Sequence, residues 1–345
     1  MNGNVMNVMR TTHGSIPKPA LGFTLVELMV AMVLGLILMA GLATLFANSS
    51  QSSTEIEKSI RQIENGRYAL KFLNEDVSMA GYYGEASSDL SFGTANACPT
   101  AAALATDLGW DNAALRVPVP LTGFSAAQAA SLSCLSDYKA NTPALLVRRV
   151  DTASVVPGAE TAGSFYLQTS RCSADPVATR FILSSTTSDF TLRGLACTSI
   201  NTVQRYITRI YYIARCNECG IDTVPTLKMA ELRGTQMVIL PLVEGIDDIG
   251  YDFAFDTDNN GSPDTYLTGL SGVANAPEND WANVVGVRIN VLSRTTEPTP
   301  GFNDQGKTYA LGLAGMRGPF TDGFKRRAYT ITSVVNNVAG PREIP

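Results

Sequence analysis

From Leu28 to Ala47 the chain runs for 20 residues without a charged side chain. As a helix this segment reaches roughly 30 Å, the depth of a bilayer's hydrocarbon core. Residues 1–22 before it are polar, with Arg10 and Lys18 the only basic side chains and no acidic one. A cleaved secretory signal has a shorter apolar core of about 7–15 residues, followed by a small-residue cleavage site. This run is too long, and no such site stands out beyond it. A plain single-span anchor fits the length but leaves Glu27 unexplained, because a carboxylate deep in the membrane costs about 2–3 kcal/mol.

Composition narrows the function classes. The 345 residues carry a net charge of -5, with 45% hydrophobic and 17% charged residues. That balance excludes a disordered, collagen-like or multi-span chain. An acidic pI near 5 argues against nucleic acid as a partner. The single histidine, His13, precedes the apolar run, in a stretch expected to be lost on processing. A chain without histidine builds neither a Ser-His-Asp or Cys-His centre nor a His-ligated metal site. With no phosphate-cradling glycine loop either, the reading is non-enzymatic, with no required cofactor.

The string Gly22-Phe23-Thr24-Leu25-Val26-Glu27-Leu28 resembles the class III (type IV prepilin) signal. The resemblance implies that a prepilin peptidase cuts between Gly22 and Phe23 and that Phe23 is then N-methylated. Residues 1–22 are thus a leader, long for the family, with Met6 and Met9 as alternative starts. Glu27 becomes the fifth residue of the mature chain, where the family carries its glutamate. There it neutralises the terminal amine of Phe23 on a neighbouring subunit and sets axial register. Thr24-x-x-Glu27 also has the spacing of a helix capping box. No proline interrupts residues 23–47, although Gly35 and Gly41 permit bending or close packing.

Beyond Ala47 the pattern turns amphipathic. Ile56, Ile60, Ile63, Leu70, Leu73 and Val77 recur at helical spacing and predict one buried stripe. Ala80-Gly81 closes the helix. The segment from Glu64 through Asp76, with Met79-Ala80-Gly81-Tyr82, resembles the helix end of PilW-type minor pilins. The string Asp322-Gly323-Phe324-Lys325-Arg326-Arg327-Ala328-Tyr329 resembles their C-terminal region.

Residues 82–142 read as a variable loop region rich in small residues, with helical turns near Ser125–Leu132 and no assignable role. From residue 143 to the end, strand patterns follow in succession: 144–150, 164–168, 204–214, 226–232, 235–242, 249–255, 284–292 and 328–335. Strands in series after one long helix predict an α+β, pilin-like fold. Its helix comprises a transmembrane part (23–47) and an amphipathic part (48–81), packed on an antiparallel sheet.

All six cysteines (Cys98, Cys134, Cys172, Cys197, Cys216 and Cys219) follow the apolar segment. In an oxidising compartment they form disulfides, with fifteen possible pairings. The preferred one is sequential, because each bridge then closes a local loop. Cys216-x-x-Cys219 ends a strand rather than opening a helix, which favours a staple over thiol exchange or zinc. In the acidic loop, Asp256, Asp258, Asn260, Ser262 and Asp264 place side-chain oxygens at alternate positions, with Gly261 at position six. This is the spacing of a calcium loop. Position twelve is Leu267, so a remote carboxylate such as Asp252 or Asp280 has to complete the set. The competing reading is a hydrogen-bonded turn.

The resemblance implies a minor pilin of type IV pili. It inserts in the inner membrane with its C-terminal domain in the periplasm, and it joins a pilus-tip complex that primes assembly. Its partners are then other minor pilins, the major pilin, the prepilin peptidase, the inner-membrane assembly machinery and the membrane itself. Alternatives are a type II secretion minor pseudopilin and a tip adhesin or surface sensor.

Overall fold

A computed structural model describes residues 22–86, 91–101, 104–176, 180–269 and 278–343. The chain divides into a unit ending at Thr54 and a second from Glu55 to Pro345. Helix α1, Leu25–Ser78, starts in the first and ends in the second. Within the first unit every described residue is exposed, including Leu36, Met39 and Phe46 at 71–78%. A helix apolar on all sides finds its partners in lipid or in other apolar helices.

The second unit holds two large antiparallel sheets, beside two short two-stranded ladders. The first contains β1 (Leu121–Phe124), β2 (Ala144–Val155), β3 (Tyr166–Thr169), β4 (Phe181–Ser184), β5 (Val203–Ala214), β6 (Thr226–Arg233) and β7 (Gln236–Glu244). β5 organises it. One edge of β5 pairs with β2, while the other takes β3 at its start and β6 at its end. Its run of β-branched and aromatic residues suits a strand buried on both faces. After Gly245 the chain enters the second sheet, in the order β9 (Thr265–Leu267), β8 (Ile246–Phe255), β10 (Val284–Arg294), β11 (Arg326–Val334). Strand boundaries agree with the sequence patterns to within a few residues, except that β2 runs on to Val155. β1, β4 and β9 are additions from segments without clear alternation.

The last turns of α1 pack on both sheets. Ala69, Leu70, Leu73 and Val77 join Leu145, Tyr211, Ile213, Phe253, Val287 and Ile289 in one core. Leu70, Leu73 and Val77 are buried as the predicted stripe requires, but its N-terminal half is not used. Ile56 and Ile60 are 58% and 48% exposed, whereas Gln62, Gly66 and Asp76 are buried. Close approach decided this. A Cβ on Gly66 would lie 2.5 Å from Tyr329 Cε2, so the helix meets β11 where it has no side chain. Gln62 Nε2 donates to the carbonyls of Ser293 (3.0 Å) and Lys325 (2.9 Å). A polar residue that satisfies two carbonyls can be buried where an isoleucine would leave them unpaired.

After α1, the Gly81 N–H donates to the Arg148 carbonyl (2.9 Å). The expected helical turns form a short helix α2, Ala126–Ala130, capped by Ser125 with a reciprocal bond to Gln128. Arg148, 2% exposed, donates to the carbonyls of Val119 (3.2 Å) and Ala95 (3.1 Å) and so ties the preceding loop to β2.

Candidate functional site

Gly22 and Phe23 precede α1, exposed and outside regular secondary structure. Thr24 is the residue before the first helical turn, and its Oγ1 accepts the Glu27 N–H (3.2 Å). Only this half of the capping box forms: among the described residues the Glu27 carboxylate has no partner. It stands on an exposed helix surface whose next 20 residues carry no charge.

The acidic loop leaves β8 at Asp256, which is fully buried. Its carboxylate accepts from the N–H groups of Asn260 (3.2 Å) and Gly261 (3.0 Å) and from Arg342 Nη1 (3.0 Å). Burial pushes the Asp256 carboxyl up, but Arg342 and the two amides outweigh it and hold it below the ordinary value. Asp258 accepts from the Asn260 N–H (3.2 Å) and Nδ2 (3.0 Å). Asp264 accepts from the Thr257 hydroxyl and N–H (both 2.7 Å), which lower its pKa. Ser262 donates its N–H to Asn260 Oδ1 (2.7 Å). Carboxylate oxygens of Asp256, Asp258 and Asp264 lie within 4.8 Å of one another. Gly261, at φ 83°, rests on the C-terminal tail: a Cβ there would lie 2.5 Å from Glu343 Cγ. Asp252 is not part of this cluster, since it faces Arg288 Nε (2.8 Å) and the Leu313 N–H (2.9 Å). The Asp280 side chain lies outside the described residues. Sequence spacing missed Arg342, which sits 86 residues away and carries no motif.

The cysteines are bonded as Cys98–Cys134, Cys172–Cys197 and Cys216–Cys219, with Cα separations of 5.5, 5.0 and 5.1 Å. Asp137 lies beside Cys216 and Cys219, but their sulfurs are joined and present no thiolate pair to a metal. The first two bridges close the loops before β2 and β5.

A buried ionic seam that the sequence did not announce links α1 to the first sheet. Asp76 accepts from Arg149 Nε (2.7 Å), Arg209 Nη1 (3.0 Å) and the Tyr211 hydroxyl (2.5 Å). Glu231 takes the other side of Arg209 (3.2 Å).

Comparison with known proteins places two matches on this framework. Residues 210–337 match the family described as type IV pilus-assembly protein W, a span from within β5 to just past β11. Residues 18–43 match the prokaryotic N-terminal methylation motif, which covers the Gly22-Phe23 junction and the first part of α1. No curated protein and no solved structure gives a match.

Proposed function

We propose that this chain, which matches the PilW family and the prepilin methylation motif, joins a pilus-tip complex as a minor pilin and primes type IV pilus assembly without catalysing a reaction. In this reading prepilin peptidase cuts between Gly22 and Phe23, and Phe23 is methylated on its new amine. The apolar part of α1 is held in the inner membrane with the unit from Glu55 onward in the periplasm, until assembly machinery draws the subunit into the filament among other minor pilins and the major pilin. The observation that carries this reading is the Glu27 carboxylate, without a partner among the described residues, at the head of the exposed and uncharged stretch Leu28–Ala47 of α1. In hydrocarbon a lone carboxylate is penalised, and the positive charge available at that depth is the Phe23 ammonium of a neighbour. A low dielectric makes that pairing strongly register-dependent. Mass spectrometry of the mature N-terminus tests it. N-methylated Phe23 as first residue is the expected result, and an intact leader or a later cut overturns it.

For the loop at 256–264 we propose a structural Ca²⁺. Three carboxylates converge against one guanidinium, Arg342, leaving two negative charges at one point. The donors are hard oxygens suited to that ion. The ion's part is to order the loop.

A further inference from the structure

We propose that the seam between α1 and the outer edge of β11 docks an extended, carboxylate-bearing segment of a neighbouring subunit by strand addition. β11 pairs with β10 over nine consecutive positions and is the last strand of its sheet. Among the described residues, no backbone group hydrogen-bonds to its other edge. An open edge of that length is a template for another strand.

The molecule protects its other long edge and leaves this one bare. β7 carries Pro241 and faces a register shift at Leu227/Lys228, both of which interrupt pairing. β11 reads Arg-Arg-Ala-Tyr-Thr-Ile-Thr-Ser-Val, with no proline, no glycine and no register shift along its ladder. Its exposed positions include Thr330, Thr332 and Val334.

Charge identifies the occupant. Where Gly66 lets the Tyr329 ring against the helix, Arg67 follows on α1 and Arg327 lies on the same face of β11 as Tyr329. The Arg327 guanidinium is 5.6 Å from the Tyr329 ring centre. Both arginines are exposed, and among the described residues neither makes an ion pair. Burial raises the Tyr329 hydroxyl pKa, and the positive charges of Arg327 and Arg67 act to lower it. Two exposed guanidiniums beside an open edge fit a carboxylate on the incoming strand.

That the strand comes from a fellow subunit rests on the pilin reading; the edge and its charge preference do not. The test uses the full-length protein in detergent micelles. The probes are two fluorescent seven-residue peptides that alternate threonine and valine, one with a central glutamate and one with a central lysine. The glutamate probe is expected to bind about tenfold tighter at low salt and to slow amide exchange within Arg326–Val334. Arg67→Glu with Arg327→Glu is expected to reverse the preference, with the thermal melt reporting that the fold survives. Equal binding of the two probes, no binding, or binding without protection of β11 overturns the proposal. An uncleaved N-terminus would sink the pilin reading and leave this result standing.

Discussion

The Tyr211 hydroxyl donates a 2.5 Å hydrogen bond to Asp76 Oδ2, fastening a helix carboxylate to the central strand of the first sheet. Asp76 is 4% exposed and is also held by Arg149 and Arg209. Burial first, and the neighbouring charge of Asp76 second, push the Tyr211 hydroxyl well above its ordinary pKa, so it remains a donor. Asp76→Ala leaves Arg149 without its ion-pair partner and Arg209 with Glu231 alone at a buried face. A loss of about 3–5 kcal/mol is expected, measured by urea unfolding followed through Trp110 and Trp281 fluorescence.

Gly66 marks the closest approach of helix and sheet. Its replacement by alanine drives a methyl into the Tyr329 ring and is expected to destabilise the fold by about 1–3 kcal/mol. Adding Tyr329→Ala makes room for the methyl. A double-mutant cycle should therefore show the two losses to be less than additive; strict additivity contradicts the packing assigned here.

The pH response has a defined sign. Lys325 first (2.8 Å), then Thr299 (2.6 Å), lower the Glu55 carboxyl from 4.5 to about 2. A depressed carboxyl contributes stability that is present above the unfolded value of 4.5 and is lost as pH falls toward 2. The urea midpoint should fall across that window, and Glu55→Gln should flatten part of the slope. Solvent screening keeps the effect small at this half-buried site.

Calcium is tested by a thermal melt. A hundredfold excess over the dissociation constant stabilises by about 2.7 kcal/mol, so Tm should rise with millimolar calcium and return with a chelator. Asp258→Asn with Asp264→Asn should abolish the shift. An unchanged melt in the original protein leaves the hydrogen-bonded turn as the loop's whole role.

Glu27→Gln removes charge without changing shape. Filaments counted by electron microscopy should drop by about tenfold or more while the variant is still cleaved and its second unit still folds. Unaltered filament growth contradicts the register role.

Much of this architecture was legible in the sequence, because its signals are local. The apolar run, the Gly22-Phe23 junction and Glu27 are contiguous residues, and contiguous residues define a helix and a processing motif without help from the rest of the chain. Strands β2, β5, β6, β8 and β10 declared themselves by β-branched and aromatic composition. The acidic loop did so by alternation of its oxygens.

Only the tertiary structure decided which helix face is buried, how the strands divide into two sheets, and which edge stays open. The stripe of isoleucines lost to Gln62 and Gly66 because backbone approach and carbonyl satisfaction outweigh side-chain hydrophobicity where a helix touches a sheet. Asp76 with Tyr211, and Asp256 with Arg342, are pairs 135 and 86 residues apart in the chain. Such pairs exist only after the fold brings them together, so no local pattern of residues can announce them.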